Sequence, residues 1–126
     1  MPYHVSKAKF ADLVERALAE LPDQFAEFLD EVPVEVRDRP TPRQLKTAGL
    51  GRDDLLLGLY HGVPQTERSV EHSGRFPDVI YIFQEDIELV SGSADELIDQ
   101  VRTTVLHEIG HHFGMDEDDL DKLGYG

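Results

Sequence analysis

The segment from about Ala94 to Phe113 constrains the fold more than any other stretch of the chain. Ile98, Val101, Val105 and Ile109 recur at spacings of three and four, the period of one face of an α-helix. At about 100° per residue, His107 and His111 fall well away from the centre of that stripe. The expectation is a long helix that packs one face into the domain and offers two imidazoles to a cleft from another. Residues four apart are neighbours on a helix surface, so both rings reach a single ion.

The residues between them complete the motif HExxH, as His107-Glu108-Ile109-Gly110-His111. Zinc accepts imidazole nitrogen at about 2.0–2.1 Å in a tetrahedral shell, and a catalytic site keeps one position for water. Glu108, next to the first ligand, is placed to take a proton from that water as it attacks a carbonyl. Five matching residues can arise by chance, but three of the six histidines lie within 107–112, on a helix whose other face is apolar. A solvated face that happens to read His-Glu-His is the weaker explanation. His112 points toward the stripe side and is expected to pack rather than ligate.

A third ligand is expected from near the helix. Too little chain follows His111 for a separate, more distant helix to supply it. Gly114 is expected to end the helix in the left-handed conformation and turn the chain back toward the metal. Asp116, Glu117, Asp118, Asp119 and Asp121 follow it. The spacing His111-x-x-Gly114-x-x-Glu117 puts a carboxylate where metzincins place a third histidine, and a carboxylate is an acceptable zinc ligand. The distant methionine turn of metzincins has no counterpart, because Met115 is the only later methionine.

The rest of the chain sets the frame. Ser6 is expected to cap a helix carrying Phe10, Leu13, Val14, Ala17, Leu18 and Leu21 inward. Pro22 opens a second helix with Phe25, Phe28 and Leu29 inward. Val32 to Val36 reads as a short strand with Pro33 near its start or on an edge. Thr41-Pro42 repeats the cap-then-proline signal for a helix to about Ala48, stopped by Gly49. Leu55 to Tyr60 reads as a strand in which Gly58 marks a bulge or a close backbone approach. Gly62 to Pro77 is a long polar loop, Val79 to Phe83 the clearest strand, and Glu85 to Val90 a short helix before the long one. Helices, then short strands, then helices fit an α+β domain better than an alternating one.

At 126 residues the chain is one domain, 1–126, large enough to bury a modest core. It has no cysteine, which removes disulfides, thiolate metal sites and cysteine nucleophiles together. Twelve basic residues against 26 acidic give a net charge of −14. That field repels nucleic-acid phosphates and anionic lipid, so neither is an expected partner. The amino terminus lacks the apolar run of a signal peptide, and no stretch approaches the roughly twenty apolar residues of a membrane span. A cytoplasmic monomer is the expectation.

With these residues in view, the chain resembles the minimal zincin-like metallopeptidases, small bacterial proteins with the motif HExxHxxGxxD. The resemblance rests on HEIGHHFG at 107–114, LLGLYHGVPQTERS at 56–69 and PDVIYIF at 77–83, and with the opening helices it covers most of the chain. It implies a compact zincin-like fold, with a small mixed sheet of three or four short strands packed on helices that include the HExxH helix. The family's final Asp falls at Glu117 here, which makes Glu117 the expected third ligand and Asp116 the second choice. By analogy with zincins, Tyr60 and His61, at the end of a strand beside a glycine, are candidates to line the substrate cleft. The implied activity is zinc-dependent hydrolysis of peptide bonds in a peptide or small protein, with Glu108 as the catalytic base. Hydrolysis of another amide or ester, and a non-catalytic zinc-binding module, are the alternatives. Glu108 has no purpose in a purely structural site, which favours an enzyme.

Overall fold

A computed structural model describes residues 2–62 and 78–112. Among these described residues, five helices and three strands follow one another as α1 (Lys7–Ala19), α2 (Asp23–Glu31), β1 (Val34–Arg37), α3 (Pro42–Thr47), β2 (Gly58–His61), β3 (Val79–Phe83), α4 (Gln84–Leu89) and α5 (Ala94–His112). The class is α+β with a mixed sheet, as the order of signals implies. The sheet order is β1-β3-β2. β1 runs parallel to β3, with Val34 opposite Ile80, and β2 runs antiparallel to it, with Tyr60 opposite Ile80. Among the described residues β1 and β2 are therefore the two edges.

Local chemistry sets the helix boundaries. The Ser6 hydroxyl accepts the Lys9 amide at 3.1 Å, satisfying a donor that the first turn leaves without an intrahelical partner. Thr41 and Gln44 form a reciprocal capping box at the head of α3, and Gly49 closes that helix with φ of 77°, a conformation that glycine adopts without steric cost. Pro22 stands one residue earlier than expected, at the cap of α2 rather than inside it.

α1 and α5 pack together against the sheet. Phe10, Leu13 and Ala17 of α1, Ile80 and Ile82 of β3, and Leu97, Val101, Val105 and Ile109 of α5 are all fully buried in one cluster. The stripe read from the sequence is the buried face of α5. Phe25, Phe28 and Leu29 of α2 cover its margin half-buried.

Two strands differ from the sequence reading. β1 is shifted toward the carboxyl end, occupying Val34–Arg37, with the Pro33 carbonyl accepting the Ile80 amide just ahead of it. β2 begins only at Gly58, and Leu55 to Leu57 stay outside the strand. The reason is the partner. β3 passes directly into α4 at Gln84, so beyond the bond from Phe83 N to Leu57 O at 3.0 Å there is no strand left to pair with. The Leu56 amide instead donates to the buried Asp86 carboxylate at 2.9 Å. On the same helix the buried Glu88 accepts the Val5 amide at 2.8 Å. These carboxylates of α4 are satisfied by main-chain donors, as buried charge requires.

Gly58 is a close approach and not a bulge, because its register with β3 is unbroken. A Cβ built there lies 2.5 Å from Thr104 Cγ2 and 2.9 Å from the Tyr81 carbonyl oxygen. β2 and α5 meet backbone-close at this point, which brings the strand edge to the HExxH face. Gly58→Ala is expected to lower stability by about 1–3 kcal/mol through overpacking, read as a reduced urea midpoint at unchanged slope. An unchanged midpoint would mean that the two elements are not in contact there.

Candidate metal centre

α5 brings its two candidate ligands together. The Nε2 atoms of His107 and His111 are 2.8 Å apart and the ring centroids 4.4 Å. His107 is half-buried and His111 exposed. Two imidazole nitrogens sharing a tetrahedral zinc at about 2.0–2.1 Å stand about 3.3 Å apart. Separating the rings by about half an ångström, a small change in χ angles, fits them to one ion. The donor set and its convergence therefore suit zinc.

Glu108 is half-buried and turned toward the sheet. Its Oε1 accepts the main-chain amide of Tyr60 at 2.9 Å. A charge-assisted bond of this kind to a rigid strand fixes the carboxylate more firmly than a surface rotamer would. In an antiparallel ladder, successive residues direct their main-chain groups alternately toward and away from the partner. Leu57 O bonds to β3 and Tyr60 N bonds to Glu108, so Gly58 and Tyr60 carry their amides and carbonyls away from β3.

The side chain of Tyr60 has a different task from its backbone. Its hydroxyl donates to the buried Asp78 carboxylate at 2.6 Å. Its ring stacks on His112, with centroids 4.5 Å apart and planes at 15°, and His112 also lies 5.6 Å from Phe28. His112 is thus packed among aromatics, as its helical angle implies, while Tyr60 holds strand, helix and the Glu108 carboxylate in one unit. His61 is exposed, its ring centroid 6.1 Å from that of Tyr81.

Two cavities open on either side of Glu108. One, of about 300 Å³, runs from Leu55–Gly58 to Gln100, Thr103, Thr104 and His107. The other, of about 310 Å³, is walled by Ala48, Leu50, Leu59 and His111. Leu56, Gly58 and Glu108 border both. The carboxylate thus stands at the middle of a groove between the edge of β2 and one face of α5. Sequence reasoning missed Gln100, Thr103 and Thr104, although 100, 103, 104 and 107 share one helical face and could have been found by extending the His107–His111 row backward.

Glu117 and Asp116 lie outside the described residues, as do Gly114 and most of the 62–77 loop. Among the described residues no cluster of three metal-ligating side chains forms, and no helix is long and apolar enough to cross a membrane.

Comparison with known proteins adds a family to this geometry. The family model of zincin-like metallopeptidases matches residues 29–126. Among solved structures, a conserved hypothetical protein from Thermus thermophilus is similar with a TM-score of 0.56 at 25% sequence identity, covering 86% of this chain and 94% of that one. No curated protein matches the chain.

Proposed function

Because the chain belongs to the zincin-like metallopeptidase family, we propose that it is a zinc-dependent hydrolase of peptide bonds, with Glu108 as its proton-transfer residue. The observation that carries this reading is the joint placement of three groups. His107 and His111 converge through Nε2, and Glu108 is held beside them on a main-chain amide of an edge strand.

His107 and His111 would hold the ion, with Glu117 as the proposed third ligand and Asp116 second. Zinc, when bound, supplies a Lewis acid that acidifies water and polarises a carbonyl. Glu108 accepts the proton given up by the attacking water and passes it to the departing amide nitrogen, which must be protonated before it can leave. Its anchor to Tyr60 N keeps the carboxylate beside the groove through both transfers.

A peptide fits this groove better than other amides or esters because of β2. Among the described residues β2 is an edge, its outward main-chain groups at Gly58 border the same groove as Glu108, and an edge strand is a template for an extended chain. A peptide lying there is held by its backbone with its carbonyls near the catalytic carboxylate. Scanning a mixture of unstructured peptides for zinc-dependent, chelator-sensitive cleavage tests the class of reaction. Cleavage of simple esters with no cleavage of any peptide would contradict it.

The third ligand has its own test. Glu117→Gln is expected to weaken zinc binding at least tenfold and Asp116→Asn to change it little, read by competition with a zinc-sensitive dye. The reverse order would show that the turn after Gly114 is tighter than the family spacing implies.

A further inference from the structure

The segment from Arg39 to Arg52 runs against the charge of the whole chain. Of 126 residues 26 are acidic and the net charge is −14, yet this segment holds Arg39, Arg43, Lys46 and Arg52 and no Asp or Glu. All four cations are exposed. Elsewhere Lys7 meets Asp38, Arg37 meets Glu35 and Arg102 meets Asp99, but none of these four pairs with a described carboxylate. Helix stability does not account for them. Lys46 in the last turn of α3 suits the negative end of the helix dipole, whereas Arg43 stands in the first turn, where a cation is disfavoured. Leu45 is buried, and Arg43 and Lys46, three apart, share a face of the same helix. The segment also reaches the groove. Ala48 and Leu50 wall the cavity on the His111 side of Glu108, and Lys46 and Arg52 each stand two residues from that wall in sequence.

We propose that the Arg39–Arg52 surface is a docking face for an acidic stretch of a substrate polypeptide, engaged outside the groove on its His111 side. Guanidinium and ammonium groups without a carboxylate of their own are matched by carboxylates from a partner, arginine through a bidentate fork. Charges are screened beyond about 8 Å at physiological ionic strength, so a ligand lying on α3 feels these four cations more than the distant acidic surface. A short run of carboxylates fits a patch of this extent. A nucleic-acid strand carries its phosphates on past the patch and over the surrounding negative field, which disfavours it. That the acidic stretch belongs to a substrate rests on the peptidase reading; the acid selectivity of the face does not, and it is testable without turnover.

The test uses the full chain carrying Glu108→Gln, to suppress hydrolysis, and the blocked peptides acetyl-Asp-Ser-Asp-Ser-Asp-amide, acetyl-Asn-Ser-Asn-Ser-Asn-amide and acetyl-Lys-Ser-Lys-Ser-Lys-amide. A short oligothymidylate serves as the nucleic-acid probe. Amide chemical shifts are followed on titration at low salt. The Asp peptide is expected to shift Arg39, Arg43, Lys46 and Arg52 and to bind at least tenfold more tightly than the Asn or Lys peptide, a preference that molar salt removes. Arg43→Glu with Lys46→Glu is expected to weaken the Asp peptide at least tenfold. Lys9→Glu with Arg16→Glu, on the exposed side of α1, makes the same change in net charge and is expected to leave its affinity within twofold. The same spectra verify that each variant is folded. Equal binding of the three peptides, equal loss in the two double variants, or shifts confined to other parts of the molecule overturn the docking face. So does oligothymidylate binding through these residues as tightly as the Asp peptide, which would make the partner a nucleic acid. No binding of the Asp peptide, with the Arg43 and Lys46 double variant melting well below the α1 one, would give the face to the chain's own acidic segment 116–121 and likewise overturn the proposal. Acid-selective binding here, in a protein whose wild type cleaves no peptide, upholds the face and overturns the peptidase reading. Peptide cleavage with equal binding of the three peptides does the reverse.

Discussion

Glu108→Gln is expected to retain stoichiometric zinc while lowering kcat/KM for peptide cleavage by about 10²–10⁴-fold, the range that positioned proton transfer contributes. The substitution separates two roles of this side chain. Glutamine has the same length and can still accept the Tyr60 amide through its oxygen, so the bond that places the residue survives. Lost is the capacity to take a proton from water and return it to the leaving nitrogen. Because the proposed metal ligands His107 and His111 are untouched, zinc measured by elemental analysis is expected to match wild type. Cleavage at the wild-type rate in the zinc-loaded variant would mean that another group moves the proton. Equal loss of zinc and activity would make Glu108 part of the metal shell.

The second large effect is on the metal itself. His107→Ala or His111→Ala is expected to abolish stoichiometric zinc, since each removes one of two nitrogens that α5 brings to within 2.8 Å of each other. The stability of the protein should follow. An ion that binds the native chain and hardly the unfolded one adds RT ln(1 + [L]/Kd), about 4 kcal/mol at a thousandfold excess over Kd. For a domain of this size that is on the order of 10–20 °C in Tm. Calorimetry of the zinc-loaded wild type before and after chelation is expected to show a fall of that order, and the histidine variants should melt with the chelated protein. A chelated, verified metal-free sample with an unchanged Tm would detach the ion from the fold.

How far the sequence foretells this arrangement differs from element to element. Where the signal is local, it is legible. Ser6, Thr41 with Gln44, and Gly49 act through their own turns. The stripe Ile98, Val101, Val105, Ile109 is a property of a single helix, and so is the pairing of His107 with His111. The end of β2 is not local. Leu55 to Leu57 are as apolar as a strand, yet their pairing depends on where β3 stops, and Gln84 begins a helix whose Asp86 captures the Leu56 amide. The tie between Glu108 and Tyr60 is hidden for a related reason. Its donor is a main-chain amide 48 residues away in sequence, and every residue except proline carries such a group. Tyr60 was a cleft candidate by analogy with other zincins. In the structure its amide orients the Glu108 carboxylate while its ring and hydroxyl are taken up by His112 and Asp78.

Gly58 joins the two scales. As a residue type it signals either a bulge or a close approach. Only the position of Thr104, 46 residues later in the sequence and on another element, decides for the close approach. The same contact explains why the groove lies beside Glu108. β2 can approach α5 this closely only where it carries no side chain, and that residue borders both cavities together with Glu108.

The measurement that tests the central claim most directly is a crystal structure of the zinc-loaded chain. The expected site has zinc on the Nε2 atoms of His107 and His111 at about 2.0–2.1 Å, one carboxylate from the segment after Gly114, and a solvent molecule facing Glu108. Zinc bound elsewhere, or held in a closed shell of four protein ligands with no exchangeable position, would contradict a catalytic centre built on this helix.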